Sequence, residues 1–262
     1  MLWWKALVLG VVEGVTEFLP ISSTGHLILV SALVDYPESQ RTTFDVFIQI
    51  GAILAVVWLY RGHLWSLLTR APQEARARSL LAKVLLAFLP AAAVGFFFHM
   101  WIESYLFAPH VVAYALIGGG IVLLWVDRRT HPNLVQDIEN LTWTQALWIG
   151  LAQTLSLIPG VSRAAATIVG GLLSGLSRPV ATQFSFYLSI PTLGAASAYS
   201  LIQARHNLAL DDVVALSLGF VTAFASAAIV VEGFVRFVQR HTFLVFALYR
   251  IVLGLVVLLY LV

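Results

Sequence analysis

Long apolar runs separated by short polar segments make up most of this chain. Six of the runs are long enough to cross a bilayer as helices, which takes about 17–25 residues each. They cover residues 44–60, 81–101, 110–126, 180–202, 213–235 and 243–262. The pattern predicts an all-α integral membrane protein with six transmembrane helices.

Two further apolar segments, residues 2–34 and 144–176, are each interrupted near the middle by a polar loop that contains proline. Each segment is too long for one ordinary span, and its centre is too polar to face lipid. Irregular backbone is tolerated at membrane depth only where protein or water surrounds it. The sequence therefore predicts two re-entrant helix-loop-helix hairpins, each of which enters and leaves on the same side.

The two halves of the chain repeat at a constant offset of 140 residues. We divide the single membrane domain, 1–262, into repeat 1 (1–127, hairpin 2–34 plus three spans) and repeat 2 (144–262, hairpin 144–176 plus three spans). An odd number of spans in each repeat inserts the second one upside down, which is the inverted-repeat arrangement. The aligned pairs include Gly10 with Gly150, Glu13 with Gln153, Ser22 with Ser162 and Phe44 with Phe184.

Composition agrees with a membrane protein. Of the 262 residues, 60% are hydrophobic and 11% charged, and the mean hydropathy is +0.90; a soluble domain has about 25% charged residues. The formal net charge of +2 is too small to indicate a nucleic-acid partner. The chain has no cysteine, which excludes disulfides, a thiol nucleophile and cysteine-ligated metals.

Positive charge is unevenly divided between the two sides of the predicted bundle. One side holds only Lys5, Arg41 and Arg205, and by the positive-inside rule this side is the outer one. Both termini then lie outside, the first hairpin enters from the outer face, the second from the inner face, and their tips meet near the midplane. The inner side collects Arg61, Arg70, Arg76, Arg78, Lys83, Arg128, Arg129, Arg178, Arg236 and Arg240.

The first hairpin loop places carboxylates, hydroxyls and an imidazole in an otherwise apolar region. Ionised groups at membrane depth are costly and mark a functional site by default. Glu13 and Glu17 are four residues apart and share one face of a helix, which Pro20 cannot continue. The candidate residues of this loop are Glu13, Glu17, Ser22, Ser23, Thr24 and His26.

Several roles stay open for these residues at this point. Glu13 and Glu17 suit a divalent cation, Mg²⁺ or Ca²⁺, or a general base, or an ion pair with arginine. Ser23 is the best candidate nucleophile, with Glu17 or His26 as its base, although Ser22, Ser23 and Thr24 all suit a helix N-cap. His26 could donate a proton, accept one or attack phosphorus itself, and its alternative is a hydrogen-bonded interior histidine.

The second hairpin loop and the last span add two arginines. Pro159 and Gly160 end one half-helix, and Ser162 and Arg163 begin the next, where free N–H groups and a guanidinium favour phosphate. An arginine there needs either the two glutamates or an anion as its partner. Arg250 lies about 10 Å into the last span. We interpret Ser162, Arg163, Thr167 and Arg250, with Ser22 and Thr24, as a substrate-binding set for phosphate.

The stretch from Glu13 to His26, followed by Pro159-Gly160-x-Ser162-Arg163 and Thr167, closely resembles the undecaprenyl-diphosphate phosphatase (bacitracin-resistance) family. The resemblance covers essentially the whole chain. It implies hydrolysis of a polyprenyl diphosphate carrier lipid to the monophosphate, outside the bacterial cytoplasmic membrane and with a divalent metal. One departure is Ala164-Ala165, where the family usually has Ser-Gly.

The alternative function is a polyprenyl-phosphate flippase or an anion transporter, because inverted repeats with broken helices are a transporter architecture. The carboxylate pair distinguishes the two, since an anion carrier gains nothing from two glutamates beside its anion unless a cation or proton joins it. A structural scaffold explains none of the buried ionisable groups. A homodimer is left open as the assembly state.

Overall fold

The computed structural model describes residues 3–129, 135–204 and 213–261. These residues fold into ten α-helices, four of them short and six long. The short ones form two consecutive pairs, α1 (Trp3–Thr16) with α2 (Ser23–Leu33), and α6 (Trp143–Thr154) with α7 (Arg163–Leu173). The long ones are α3 (Glu38–Arg70), α4 (Ala75–Leu106), α5 (Pro109–Asp127), α8 (Arg178–Ala204), α9 (Val213–Val238) and α10 (Leu244–Leu261).

The all-helical prediction for a multi-pass membrane protein is confirmed. Among the described residues, four helical segments are long and apolar enough to cross a bilayer: Thr43–Arg70, Ala75–Ile102, Pro109–Asp127 and Val213–Val238. Large apolar side chains also face outward, as in the row Phe96, Phe97, Phe98 and Met100 on α4. Exposed apolar surface of this extent requires a lipid or protein partner. Helices α8 and α10 occupy the other two predicted spans, and the full count of six spans stays a prediction.

Several helices are longer than the apolar runs that predict them. Helix α3 covers Glu38–Arg70 where the hydropathy pattern marks 44–60, and α4 covers Ala75–Leu106 where it marks 81–101. An apolar run shows how much of a helix suits lipid, whereas backbone hydrogen bonds continue through polar residues until a breaker is reached. For α3 the helix continues to Arg70, two residues before Pro72.

Small residues allow the short helices to pack closely against long ones. A Cβ atom on Gly10 of α1 would lie 2.4 Å from the carbonyl oxygen of Gly219 on α9. A Cβ atom on Gly150 of α6 would lie 2.6 Å from the carbonyl oxygen of Ala87 on α4. Close backbone approach through small residues is a recurrent way to pack helices in membranes. As a result α1 lies along α9 and α6 lies along α4, with both interhelical loops inside the bundle.

Candidate active site

The first loop begins where α1 ends. The last residue of α1 is Thr16, but the amide of Glu17 still donates to the carbonyl oxygen of Glu13 at 2.9 Å, so the two glutamates keep their helical spacing. Ser22 has a positive φ of 72°, and its hydroxyl accepts a hydrogen bond from the amide of Gly25 at 3.3 Å. Ser22 is therefore the N-cap of α2, and Ser23 is the first residue of that helix.

The second loop has the same local construction. Ser162 has a φ of 73°, and its hydroxyl accepts from the amide of Ala165 at 3.2 Å, which caps α7. The preceding half-helix is shorter than the sequence predicts, because α6 ends at Thr154 and continues only as a 3₁₀ turn over Leu155–Leu157. The prediction that this helix ends at Pro159 and Gly160 is therefore wrong by several residues.

The two loops meet at Glu17. The hydroxyl of Ser23 donates a hydrogen bond to Glu17 Oε2, and Arg163 Nη2 donates to Glu17 Oε1 at 3.3 Å. The side chains of Glu17 and Arg163 are each 6% exposed. Serine, glutamate and arginine thus form one buried chain of contacts, and both carboxylate oxygens of Glu17 have a partner. The sequence left a loop glutamate or an anion open as the partner of Arg163, and in the structure that partner is Glu17.

Arg163 is held in place by α8. Its Nη1 atom donates to the carbonyl oxygen of Ser185 at 3.1 Å and to the Ser185 hydroxyl at 3.3 Å. That hydroxyl also accepts from Thr167 Oγ1 at 2.7 Å. The Nε atom of Arg163 is buried and has no hydrogen-bond partner. Three of the five guanidinium N–H groups are thus used, and the Nε–H is among those that remain for an incoming acceptor, such as a phosphate oxygen.

His26 takes a different partner from the one the sequence suggests. Its Nδ1 atom lies 2.7 Å from the carbonyl oxygen of Ser22, and its Nε2 atom lies 2.6 Å from the hydroxyl of Tyr249. Of the two bases predicted for Ser23, only Glu17 is hydrogen-bonded to it. Tyr249, which the sequence analysis did not identify, lies on α10 immediately before Arg250.

Arg250 does not have the contacts expected of a phosphate-binding residue. It is fully buried. Its guanidinium donates only to backbone carbonyl oxygens, at 2.8–3.4 Å, and all three nitrogens are engaged. The acceptors belong to α5 and to both loops, namely Ala115, Leu116, Pro20, Gly160 and Val161. Arg250 therefore joins the two loops and has no free donor for a phosphate.

Other members of the predicted substrate-binding set are also engaged within the protein. The hydroxyls of Ser22 and Ser162 cap their helices. Thr167 is buried and bonds to Ser185 and to backbone carbonyls of its own helix. Thr24 is exposed at the start of α2 and takes no part in the contacts between the loops. Of that set, only Arg163 keeps a buried side-chain nitrogen or oxygen atom that makes no hydrogen bond.

Glu13 has the properties of a cation ligand. Its side chain is buried, and its Oε2 atom has no hydrogen-bond partner. No group of three or more histidine, cysteine, aspartate and glutamate side chains that could hold a metal ion occurs within the described ranges. Mg²⁺, however, is commonly bound through one or two carboxylates together with substrate phosphates. The free oxygen of Glu13, one helical turn from Glu17, fits that mode of binding.

A family model described as bacitracin resistance protein BacA matches residues 6–256. The chain belongs to this family. Undecaprenyl-diphosphatase 2 of Rhodospirillum rubrum is 51% identical over 255 residues, covering 97% of this chain and 93% of that protein. Undecaprenyl-diphosphatase of Nitrosospira multiformis is also 51% identical, over 254 residues with the same two coverages.

A third BacA relative, undecaprenyl-diphosphatase 1 of Chromobacterium violaceum, is 48% identical over 256 residues, covering 97% of this chain and 95% of that protein. The family resemblance inferred from the two loop motifs is thereby confirmed. The BacA match extends into α10 as far as residue 256, so that Tyr249 and Arg250 lie within the family region.

Proposed function

We propose that this protein hydrolyses undecaprenyl diphosphate to undecaprenyl monophosphate and inorganic phosphate. The observation that carries the proposal is the hydrogen bond from Ser23 to Glu17 beside Arg163, because it places a hydroxyl, a base and a phosphate-binding cation together. The names of the relatives specify the same activity. The reaction regenerates the monophosphate carrier lipid for cell-wall synthesis and thereby favours bacitracin resistance.

In the mechanism that we propose, Ser23 attacks the terminal phosphorus. A bond forms between Ser23 Oγ and phosphorus, the bond from phosphorus to the bridging oxygen breaks, and Glu17 accepts the hydroxyl proton. Water then attacks the phosphoserine, the bond from phosphorus to Ser23 Oγ breaks, Glu17 returns its proton to Ser23, and inorganic phosphate is released. Because Ser22 already caps α2, the hydroxyl of Ser23 is not required for capping and is free for this role.

Arg163 and Glu13 complete the proposed site. The unpartnered Nε of Arg163 would donate to a phosphate oxygen, and its other contacts with Glu17 and Ser185 keep the guanidinium plane fixed. Glu13, with Glu17 nearby, would hold a divalent cation, which neutralises negative charge on the diphosphate when bound. His26 would accept at Nε2 a proton from the water that attacks the phosphoserine.

The contacts favour hydrolysis over transport. A flippase or anion carrier needs positive charge and hydroxyls to bind its substrate, but it does not need a serine hydroxyl bonded to a buried carboxylate. The hydrogen bond between Ser23 and Glu17 is the arrangement that activates a nucleophile.

We also propose the membrane topology that the sequence predicts: six spans, two re-entrant hairpins in an inverted repeat, and both termini on the outer face of the cytoplasmic membrane. Helix α1, with 14 residues, is about 21 Å long, and α2, α6 and α7 are shorter still. A bilayer core is about 30 Å thick. None of these four helices crosses it alone, which supports hairpins. The site would open to the periplasm, where the spent carrier lipid presents its diphosphate.

Phosphate release from a C55 prenyl diphosphate by the purified protein, with and without EDTA, tests the function and its cation together. We expect release that EDTA abolishes and that added Mg²⁺ or Ca²⁺ restores. Absence of release in the presence of either cation would refute the proposed activity. Release that is unaffected by EDTA would refute only the requirement for a divalent cation.

A further inference from the structure

Both ring nitrogens of His26 have hydrogen-bond partners. The partner of Nδ1 determines which of the two nitrogens bears the hydrogen. The Nδ1 atom faces the carbonyl oxygen of Ser22 at 2.7 Å. A carbonyl oxygen can only accept, so Nδ1 bears the hydrogen. In the neutral ring Nε2 then has the lone pair, and the Tyr249 hydroxyl, 2.6 Å away, donates to it. The nitrogen that exchanges a proton is therefore the one that faces Tyr249.

The two rings are also arranged as a pair. Their planes are parallel within 2°, and their centroids are 5.5 Å apart. His26 is 8% exposed and Tyr249 is 43% exposed, so the tyrosine is the more accessible member. Arg250, the next residue of α10, is the charged group that acts on His26 through space.

Consecutive residues of α10 hold the two ends of the first loop. Arg250 Nη1 donates to the carbonyl oxygen of Pro20 at 3.2 Å, and Tyr249 contacts His26. The segment between these contacts contains Ser22 and Ser23. Because Arg250 bonds to the backbone and Tyr249 to a side chain, the first contact fixes the position of the loop and the second fixes the orientation of the imidazole.

We propose that Tyr249 is the positioning residue for His26 in the hydrolysis reaction. This inference rests on the proposed function, in which His26 moves a proton at Nε2. When the ring is neutral the tyrosine donates to Nε2, and when the ring is protonated Nε2–H donates to the tyrosine oxygen. One hydroxyl thus stabilises both states of the ring: a proton that enters or leaves Nε2 passes through the Tyr249 oxygen, and the imidazole keeps its orientation.

Tyr249→Phe removes only the hydroxyl. With undecaprenyl diphosphate as substrate, we expect kcat to fall by about tenfold, a part of the 10²–10⁴-fold effect typical of general acid–base groups. We expect KM to stay within about twofold, since the hydroxyl contacts His26 rather than the diphosphate. Tyr260→Phe is the matched control, because Tyr260 lies on the same helix and is 80% exposed.

A double-mutant cycle shows whether Tyr249 affects kcat through His26 or independently of it. Tyr249→Phe in a His26→Asn background should reduce kcat no further than His26→Asn alone. Wild-type kcat in Tyr249→Phe, an equal loss in Tyr260→Phe, or additive losses in the double variant would each overturn the proposal.

Nitrogen NMR of the histidine-labelled protein gives a readout that is independent of turnover. The wild-type His26 signal, identified by its loss in His26→Asn, should show a protonated Nδ1 and a hydrogen-bonded, unprotonated Nε2. In Tyr249→Phe the Nε2 resonance should move towards that of a nitrogen without a hydrogen bond. A wild-type Nε2 resonance at the position of a nitrogen without a hydrogen bond would contradict the contact between His26 and Tyr249. If the wild-type protein releases no phosphate, the proposed function fails, but these spectra still show whether Tyr249 is hydrogen-bonded to His26.

Discussion

At the scale of single residues, Ser22 and Ser23 are neighbours with different hydrogen-bond partners. The positive φ of Ser22 turns its hydroxyl back to the amide of Gly25, whereas Ser23 has entered α2 and points to Glu17. The sequence alone left capping and nucleophilic attack open for Ser23. A left-handed backbone conformation at a non-glycine residue cannot be identified from composition, so only the structure separates the two serines.

Ser23→Ala should lose nearly all activity, because the variant has no oxygen with which to attack phosphorus. Ser22→Ala should keep much of its turnover and lose about 0.5–2 kcal/mol of stability, the usual effect of removing an N-cap. Steady-state phosphate release and thermal unfolding in detergent measure the two effects. A Ser23→Ala enzyme that keeps a tenth of wild-type kcat, a barrier change of only about 1.4 kcal/mol, would contradict the nucleophile role.

Glu17→Gln should abolish turnover in a folded protein, with a fall in kcat of about 10²–10⁴-fold. An amide cannot accept the Ser23 proton, and only one of its two polar atoms can accept a hydrogen bond. Glu13→Gln should be less severe, since glutamine already occupies the aligned position, Gln153. Glu232→Gln is the control, because Glu232 pairs with Arg236 at an exposed site. The reverse ranking of the two loop variants would exchange the roles of Glu13 and Glu17.

At the scale of helices, the sequence predicts the chemistry of the loops better than the residues that support them. Helix α5 was predicted at 110–126 and covers Pro109–Asp127, because apolar residues fill almost its whole length. Ser185 was missed, although Thr182, Ser185 and Ser189 recur every three or four residues along α8. Such a row of hydroxyls on an apolar helix is the available signal. Which arginine this row of hydroxyls contacts depends on how the helices pack, and the spacing of residues along α8 does not show it.

Two adjacent glycines of α5 provide a matched test of how Arg250 is accommodated. A Cβ atom on Gly119 would lie 2.1 Å from Arg250 Nη2, whereas one on Gly118 would meet nothing within 4 Å. Gly119→Ala should therefore lower the free energy of unfolding by about 1–3 kcal/mol, as overpacking does, and should reduce activity by moving the guanidinium. Gly118→Ala should be neutral or slightly stabilising. Equal thermal midpoints for the two variants would show that α5 yields to the extra methyl group.

At the scale of the whole molecule, the two short-helix pairs occupy comparable environments. Helix α1 packs on α9, and α6 packs on α4. The loop that follows each of these short helices ends in a serine that caps the next helix, and the two serines have nearly the same φ. Contact between the loop tips was predicted from the charge distribution and is confirmed by the ion pair of Arg163 with Glu17. The orientation in the membrane stays a prediction, because contacts within the protein are the same whichever face is outside.

Single cysteines at opposite ends of α4 test that orientation. Ser104→Cys should react with a membrane-impermeant thiol reagent in intact cells, and Ala75→Cys should not, because Ala75 lies beside the arginine-rich inner loop. Both positions are exposed, and the chain has no cysteine of its own, so each variant contains one thiol. Ala75→Cys should react once the cells are permeabilised. Labelling of Ala75→Cys alone in intact cells would invert the topology.

The position of Arg250 in the chain has a consequence for biosynthesis. The carbonyl groups that it binds belong to Pro20, α5 and the second loop, all of which leave the ribosome before α10. A nascent chain that has not yet inserted α10 therefore has both loops and the ion pair of Arg163 with Glu17, but lacks the Arg250 hydrogen bonds to Pro20, Gly160 and Val161. We therefore expect catalytic competence to arise only once α10 has inserted, so that partly synthesised chains leave the lipids of the membrane unchanged.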